Sequence, residues 1–254
     1  MIDIHCHLLP AVDDGAQNVE VSIAMAKRAV ESGVSDIIVT PHAFHRQFDT
    51  SKLNVHQAVD QLQRVLTLEG IALNVHAGQE IRIFGDLLKA LEKGEALTLA
   101  GSRYVLIEFP SDSVPAYAEQ LFFNLQAGGY TPIIAHPERN KELAQNPGRL
   151  LDFVASGALS QVTTGSLVGQ FGKTVQQLAH VFLRNGLSQL VASDAHDVTS
   201  RSFYWDETLK ALENLDDEEL VDNLLQNGKS VLEDQFVYVD PPILPTKNWR
   251  GKWK

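Results

Sequence analysis

TPIIAHPER, from Thr131 to Arg139, sets the pattern from which the fold is read. Thr131–Ala135 carries no charge, the composition of a strand covered on both faces. His136, Pro137, Glu138 and Arg139 then follow, so the apolar run stops at an imidazole, a turn residue and two charges. The pattern recurs along the chain. IDIH (Ile2–His5) leads into Cys6 and His7, and VSDIIVT (Val34–Thr40) into Pro41 and His42. IALNVHAG (Ile71–Gly78) leads into Gln79 and Glu80, and YVLIEF (Tyr104–Phe109) ends in Glu108-Phe109 before Pro110. ALSQVTT (Ala158–Thr164) is a further run, and QLVASD (Gln189–Asp194) leads into Ala195 and His196.

Between these runs lie helical patterns: VEVSIAMAKRAVESG, with Gly33 as its carboxyl-terminal cap, then HQAVDQLQRVLTLEG, AYAEQLFFNLQAGG and TVQQLAHVFLRNG. Strands alternating with helices argue for parallel β/α units. Seven such units are counted, and residues 206–234 add one or two helices with no eighth strand. The expected fold is an α/β barrel, distorted or short by one strand; a doubly wound open sheet is the alternative. No G-x-G-x-x-G follows the first strand and no G-x-x-x-x-G-K-[ST] occurs, so dinucleotide and P-loop readings have no support.

The 254 residues suit one large domain, taken as 1–240, with a basic tail over 241–254. A formal net charge of −11 makes nucleic acid a poor partner. A single thiol, Cys6, can form neither an internal disulfide nor a cysteine-rich zinc site, which fits a reducing compartment. The start MIDIHCHLLPAVDDG has no basic, apolar leader, and no run approaches the roughly 20 apolar residues of a membrane span. The chain is expected in the cytoplasm.

In a parallel barrel the carboxyl-terminal strand ends converge on one face, where active sites sit. Six of the runs deliver a histidine or carboxylate there. His5 and His7, two apart on a strand, point to one side, while Cys6 points to the other as a small buried hydrophobe. Asp14, in the Asp13-Asp14-Gly15 turn, lies near enough in sequence to reach the same cation; alone it reads equally as an ordinary turn. His42 alone reads equally as a hydrogen-bonded loop residue. Glu80 and Glu108 follow apolar strands, where an ionised carboxylate is costly unless paired or metal-bound. Asp194 and His196 repeat the spacing of two.

The candidate ligands are His5, His7, Asp14, His42, Glu80, Glu108, His136, Asp194 and His196, enough for two or three divalent ions. Nitrogen and oxygen donors alone suit manganese, iron or zinc in open coordination. Four of the ligands are carboxylates, so three divalent ions would leave the site net positive, a trap for a phosphate dianion. Arg139 and Arg201 are candidates to hold phosphate oxygens, each with a surface ion pair as the plain alternative. Phe44-His45-Arg46-Gln47-Phe48 either walls a pocket for an aromatic group or is simply a packed loop.

DIHCHLLPAVDDG, TPH, GQEIR, IIAHPERN and SDAH, as an ordered set, resemble the polymerase-and-histidinol-phosphatase (PHP) superfamily. More narrowly the chain is similar to the manganese-dependent protein-tyrosine phosphatases of bacterial capsule and exopolysaccharide clusters, the CpsB and YwqE type, over residues 2–232. The resemblance implies a distorted TIM-like (β/α)7 barrel of the PHP type with a three-metal centre. His5, His7, Glu80 and Asp194 would hold one ion; Glu80, Glu108 and His136 a second; Asp14, His42 and His196 the third. Arg139 and Arg201 would lie near the phosphate. The implied reaction is hydrolysis of phosphotyrosine on the tail of a capsule-assembly kinase by in-line attack of metal-bound hydroxide, with His42 or His196 as a proton donor to the phenolate. No cysteinyl-phosphate is expected: the C-x-x-x-x-x-R signature fails, because Val12 stands six residues after Cys6.

The rivals are a histidinol-phosphate or other small-molecule phosphoesterase, a nuclease module, and a non-catalytic regulator. In the tail, Lys247, Arg250, Lys252 and Lys254 accompany Trp249 and Trp253 with no acid. That composition suits either a peripheral contact with an anionic membrane or a partner, or a solvated end.

Overall fold

In the computed structural model the described residues are 1–48, 50, 54–213, 218–247 and 253. The strands are β1 (Ile2–Cys6), β2 (Asp36–Val39), β3 (His42–Ala43), β4 (Asn74–Ala77), β5 (Glu80–Arg82), β6 (Tyr104–Glu108), β7 (Thr131–Ala135), β8 (Leu159–Thr163) and β9 (Leu190–Ala192). Every pairing within the sheets is parallel. The fold is therefore α/β, as alternating runs and helices require. The ladders form two sheets, ordered β1-β2-β4 and β3-β5-β6-β7-β8-β9.

The two sheets arise because two expected runs are each split. Between β2 and β3 stands Thr40-Pro41, and Pro41 has no N–H to continue a ladder; its carbonyl instead accepts from Glu80 N at 3.2 Å. Between β4 and β5 stands Gly78, where an added Cβ would lie 2.8 Å from Ile38 Cγ2, closer than packing allows. Past each break the chain pairs again, in the second sheet. At the other side, β1 meets the chain just past β9: Asp194 N donates to His5 O (2.8 Å) and His7 N to Ala195 O (2.9 Å).

Alternation along the strands divides the apolar residues between two clusters. Tyr104, Leu106, Ile133, Leu159 and Leu190 belong to an inner cluster; Val105, Ile107, Ile134, Val162 and Val191 pack outward with the helices. β1 breaks the rule: Ile4 is in the inner cluster and Cys6 in the outer, although they are two apart. Its register with β2 shifts between Asp3 and Cys6, a bulge of the kind that re-aims side chains beside active sites.

The helices follow from their caps. Val19–Glu31 starts where the Asn18 side chain accepts from Val21 N, and stops at Gly33, whose φ of 81° lets the chain turn away. The predicted helices after residue 206 are Trp205–Glu213 and Glu218–Leu232. The latter packs on β1 and β9 and puts Val231 into the inner cluster. Among the described residues no helix is long and apolar enough to cross a membrane. In the tail, Trp253 Nε1 donates to Ala144 O (3.2 Å) and the Lys247 ammonium lies 4.3 Å from the Trp253 ring centroid, so this tryptophan is packed on the protein. Of the residues on which the membrane or partner expectation rests, Lys247 and Trp253 make these contacts, and Trp249, Arg250, Lys252 and Lys254 lie outside the described residues.

Leu106 is fully buried in the inner cluster. Leu106→Ala is expected to cost about 2–5 kcal/mol in chemical denaturation of the metal-free protein. Leu68→Ala, at a residue 87% exposed, should shift stability by less than about 0.5 kcal/mol.

Candidate metal centre

The strand ends place the chemistry. His5 sits on β1 with His7 just past it, His42 opens β3, Glu80 opens β5 and Glu108 ends β6. His136 follows β7, and Asp194 and His196 follow β9. His136 (φ 35°) and Asp194 (φ 51°) both have left-handed backbone, a strained state for residues with a Cβ that turns the chain sharply off its strand. Asp14 comes from the loop after β1, folded back on itself by Ala16 N→His7 O (3.1 Å). Only glycine fits at Gly15, where a Cβ would stand 2.2 Å from His7 O.

At the centre, His5 Nε2 and His7 Nε2 lie 3.3 Å apart, and each lies 3.4 Å from Glu80 Oε2 and from Asp194 Oδ1. An ion about 2.1 Å from four tetrahedral donors would set those donors about 3.4 Å apart. With both rings neutral, the ring hydrogens point away from the gap. His5 Nδ1 donates to Gln161 Oε1 (2.8 Å) and His7 Nδ1 to Asp13 Oδ2 (2.7 Å), which leaves both Nε2 lone pairs facing inward.

A second set has the same spacing: Asp14 Oδ1 lies 3.4 Å from His42 Nε2 and 3.3 Å from His196 Nε2. His196 Nδ1 donates to Asp194 O (2.9 Å), again turning Nε2 inward. A third grouping is His42, Glu80 and Glu108. Here the sequence-based set differs: His136 Nε2 meets the other oxygen of the same carboxylate, Glu80 Oε1, at 2.8 Å. Among the described residues, buried His42 Nδ1, Glu80 Oε2, Glu108 Oε2 and His196 Nε2 have no hydrogen-bond partner. His42 Nδ1 and Glu80 Oε2 are 2.9 Å apart; a neutral imidazole has one lone pair, so His42 offers an ion either Nδ1 in this grouping or Nε2 in the second set, not both. Buried polar atoms rarely go unpaired; four in one cluster fit a cation-binding site.

The charges agree. Burial alone would raise the Glu80 carboxyl, but His42, His5 and His136 hold it well below the usual carboxylate range. Burial and Arg139 act in the same opposed way on Asp194, and Arg139 and His5 prevail. Burial pushes His42 down, but Glu80 and Asp14 raise it to about 10. Glu108 is raised to about 7 by burial and by the Glu80 charge. His136 is pushed down to about 4 by burial and by Arg139.

All nine expected ligands thus lie in one connected cluster. Arg139 and Arg201 reach it too, through Asp194: Arg139 Nη1 to Oδ2 at 2.5 Å, and Arg201 Nη2 to Oδ1 and Oδ2 at 3.2 and 3.1 Å. Four supporting residues were not singled out from sequence. Asp13 orients His7 and accepts from His42 N (3.1 Å), and His7 holds its carboxyl at about 2 despite burial. Gln161 orients His5; an amide inside the apolar run ALSQVTT was its signal. Asp3, fully buried, accepts from Ser193 N (3.0 Å) and Trp205 Nε1 (3.0 Å), tying β1 to the chain past β9. Glu138 accepts from Thr163 N (3.0 Å) and Ser166 Oγ (2.6 Å), anchoring the Pro137–Arg139 turn.

A parallel α/β fold with nitrogen and oxygen donors at its strand ends defines the class, that of proteins able to hold several divalent ions in one site. Residues 1–233 match the family model described as capsular polysaccharide synthesis, CpsB/CapC, and the chain belongs to that family. It is 47% identical over 242 residues to the tyrosine-protein phosphatase YwqE of Bacillus subtilis, covering 95% of each chain. It is 38% identical to the putative tyrosine-protein phosphatase CapC of Staphylococcus aureus, covering 99% of this chain and 98% of that one. A crystal structure described with YwqE of B. subtilis and CpsB of Streptococcus pneumoniae, as unique metal-dependent tyrosine phosphatases, superposes with a TM-score of 0.93 at 47% identity. It covers 95% of this chain and 98% of that one.

Ion binding must displace protons from this cluster. In the metal-free protein at pH 7, His42 (about 10) is protonated and Glu108 (about 7) is half protonated. Saturating metal-free protein with manganese at pH 7 in weak buffer should release at least about one proton per chain, read with a pH indicator. Glu108→Gln should release fewer. Glu108 also has a folded value above its usual 4.5, so it favours the metal-free fold at low pH, and that contribution is lost as pH rises from 4.5 to about 7. The Gln variant should flatten that part of the Tm–pH curve.

Proposed function

We propose that this chain is a metal-dependent protein-tyrosine phosphatase that acts in the cytoplasm on the phosphotyrosine-bearing tail of a capsule- or exopolysaccharide-assembly kinase. The observation that carries the reading is the set of imidazole nitrogens spaced for shared cations, found in a chain 47% identical to a protein named a tyrosine phosphatase. Two or three divalent ions, with manganese first and iron or zinc as alternatives, would be held by His5, His7, Asp14, His42, Glu80, Glu108, His136, Asp194 and His196. The same reading takes the two sheets as one distorted TIM-like barrel of seven β/α units. The hydrogen bonds between β1 and the chain past β9 support it, as does the continuity of β2 with β3 and of β4 with β5.

When bound, the ions supply Lewis acidity: they draw charge from the phosphoryl oxygens and make water at the site more acidic. The chain's own residues do the rest. Arg139 and Arg201 bring two guanidinium groups to the edge of the cluster, where a phosphate dianion can pair with both. His42 and His196 cannot both ligate through Nε2 and donate a proton from that atom. Because His196 Nδ1 is engaged by Asp194 O and its Nε2 is unpartnered, the ligand role is the one supported there. Phenolate, with a pKa near 10, leaves with little acid assistance. Cys6 takes no part: it is fully buried, and burial with the Asp3 and Asp194 charges keeps its thiol protonated.

Manganese-loaded protein should hydrolyse a phosphotyrosine peptide far faster than histidinol phosphate, and metal analysis should find two or three ions per chain. Turnover of histidinol phosphate alone would favour the small-molecule phosphoesterase reading. His5→Ala should lose at least one ion and reduce turnover by about 10²-fold or more. Cys6→Ala should keep turnover within about threefold while costing roughly 1–2 kcal/mol of stability.

A further inference from the structure

Beside the cluster lies a cleft of about 840 Å³, large enough for an aromatic ring and several residues of a peptide. It joins the cluster at three places. Arg82, in its wall, lies 3.4 Å from Glu108 Oε2 and donates to Phe109 O (2.7 Å). His45, also in its wall, stacks on His42 with ring centroids 5.3 Å apart. Ser111 lines both the cleft and the small cavity bounded by Glu108, His136 and Arg139. A peptide leaving a phosphate held at the cluster on that side enters the cleft.

The lining reverses the charge of the protein. The chain carries a formal −11, yet among the described residues Arg46, Arg82 and Lys141 face this cleft against one acid, Asp112. Arg82 is partly neutralised by Glu108. Arg46 and Lys141 are exposed and form no ion pair among the described residues. Phe44 stacked on Phe84, with ring centroids 4.4 Å apart, gives one wall an apolar surface. Two cations with no ion pair among the described residues, beside an aromatic wall, complement a peptide that carries a carboxylate near its aromatic side chain.

We propose that this cleft is a specificity subsite that reads an acidic side chain flanking the phosphotyrosine, with Arg46 and Lys141 as its cations. It rests on the phosphatase reading for the phosphate end of the substrate, and on the cleft alone for the flanking end. Solvent-exposed pairs contribute modestly, so the preference is a matter of several-fold and not of orders of magnitude.

The test uses phosphotyrosine peptides of one length in which each flanking position in turn is Glu, Gln or Lys. The readout is the ratio of kcat/KM for Glu over Gln, so a general loss of activity in a variant cancels. The same ratio is read as Kd on peptides carrying a non-hydrolysable phosphonate. At one or more positions the wild type should prefer Glu over Gln by about three- to tenfold and reject Lys, and the preference should fall as salt rises. Arg46→Gln and Lys141→Gln should each reduce the ratio, and the double variant should bring it to within about twofold of unity. Both sites are exposed, so folding is not at stake. Equal turnover and equal Kd for Glu and Gln at every position, or a preference that survives in the double variant, overturns the subsite. A Glu preference in Kd with no hydrolysis under manganese, iron or zinc overturns the phosphatase reading and leaves the subsite standing.

Discussion

A carboxylate can be taken out of water only if cations or donors replace the water, and Glu80 is taken out completely. Four imidazoles surround it: His5 and His7 at 3.4 Å, His42 at 2.9 Å and His136 at 2.8 Å. The neighbours of Glu80 are therefore the rest of the site. His5 and His42, which the Glu80 charge favours in their protonated form, stabilise the metal-free fold, and the same imidazoles, deprotonated, are ligands. One arrangement serves both states because a divalent ion and a few shared protons put similar positive charge in the same place.

The backbone departs from regularity where this arrangement demands it. Pro41 and Gly78 break strands that would otherwise run past the site, and the restarted segments carry His42 and Glu80 at their first residues. The bulge in β1 sets His5 among the ligands while Cys6 stays with the helices. His136 and Asp194 adopt left-handed backbone. Such conformations each cost on the order of 1–3 kcal/mol, and they persist where the surrounding structure fixes them. Two apolar clusters provide that fixation, one inside the strands and one between strands and helices.

Much of this was legible in the sequence because strand ends are legible. A near-continuous apolar run that stops at a histidine or an acid identifies both the strand and the residue at its end. That is why His5, Glu108 and Asp194 could be named beside the runs that carry them. What could not be read is what depends on partners distant in sequence. Spacing alone in Asp13-Asp14-Gly15 does not say that the first aspartate turns to His7; the grouping of the second with His42 and His196 was implied only by the family resemblance, and its geometry follows from the fold of the loop over His7. Gln161 becomes meaningful only when β8 is placed beside His5. The split strands were hidden for the same reason: a proline or glycine near a strand end reads as the end, and only the pairing with β5 and β6 shows that the strand resumes.

The thiol among the ligands tests the chemistry the site permits. Cys6 lies between His5 and His7 in sequence, so a nucleophilic cysteine would seem well supplied with bases. Strand geometry denies it that role: Cys6 belongs to the outer apolar cluster, with its sulfur 3.7 Å from Ala195 O and no exposed surface. Thiolate formation there would add a negative charge near Asp3 and Asp194 in a medium that cannot screen it, which is why the thiol is held well above its usual range. The residues that do face the cluster donate lone pairs or accept protons, and among the nine candidate ligands none is a covalent nucleophile of the serine or cysteine kind. The chain's own positive charge at the site comes from Arg139 and Arg201, and the spacing of the imidazoles and carboxylates fits further charge held there as cations.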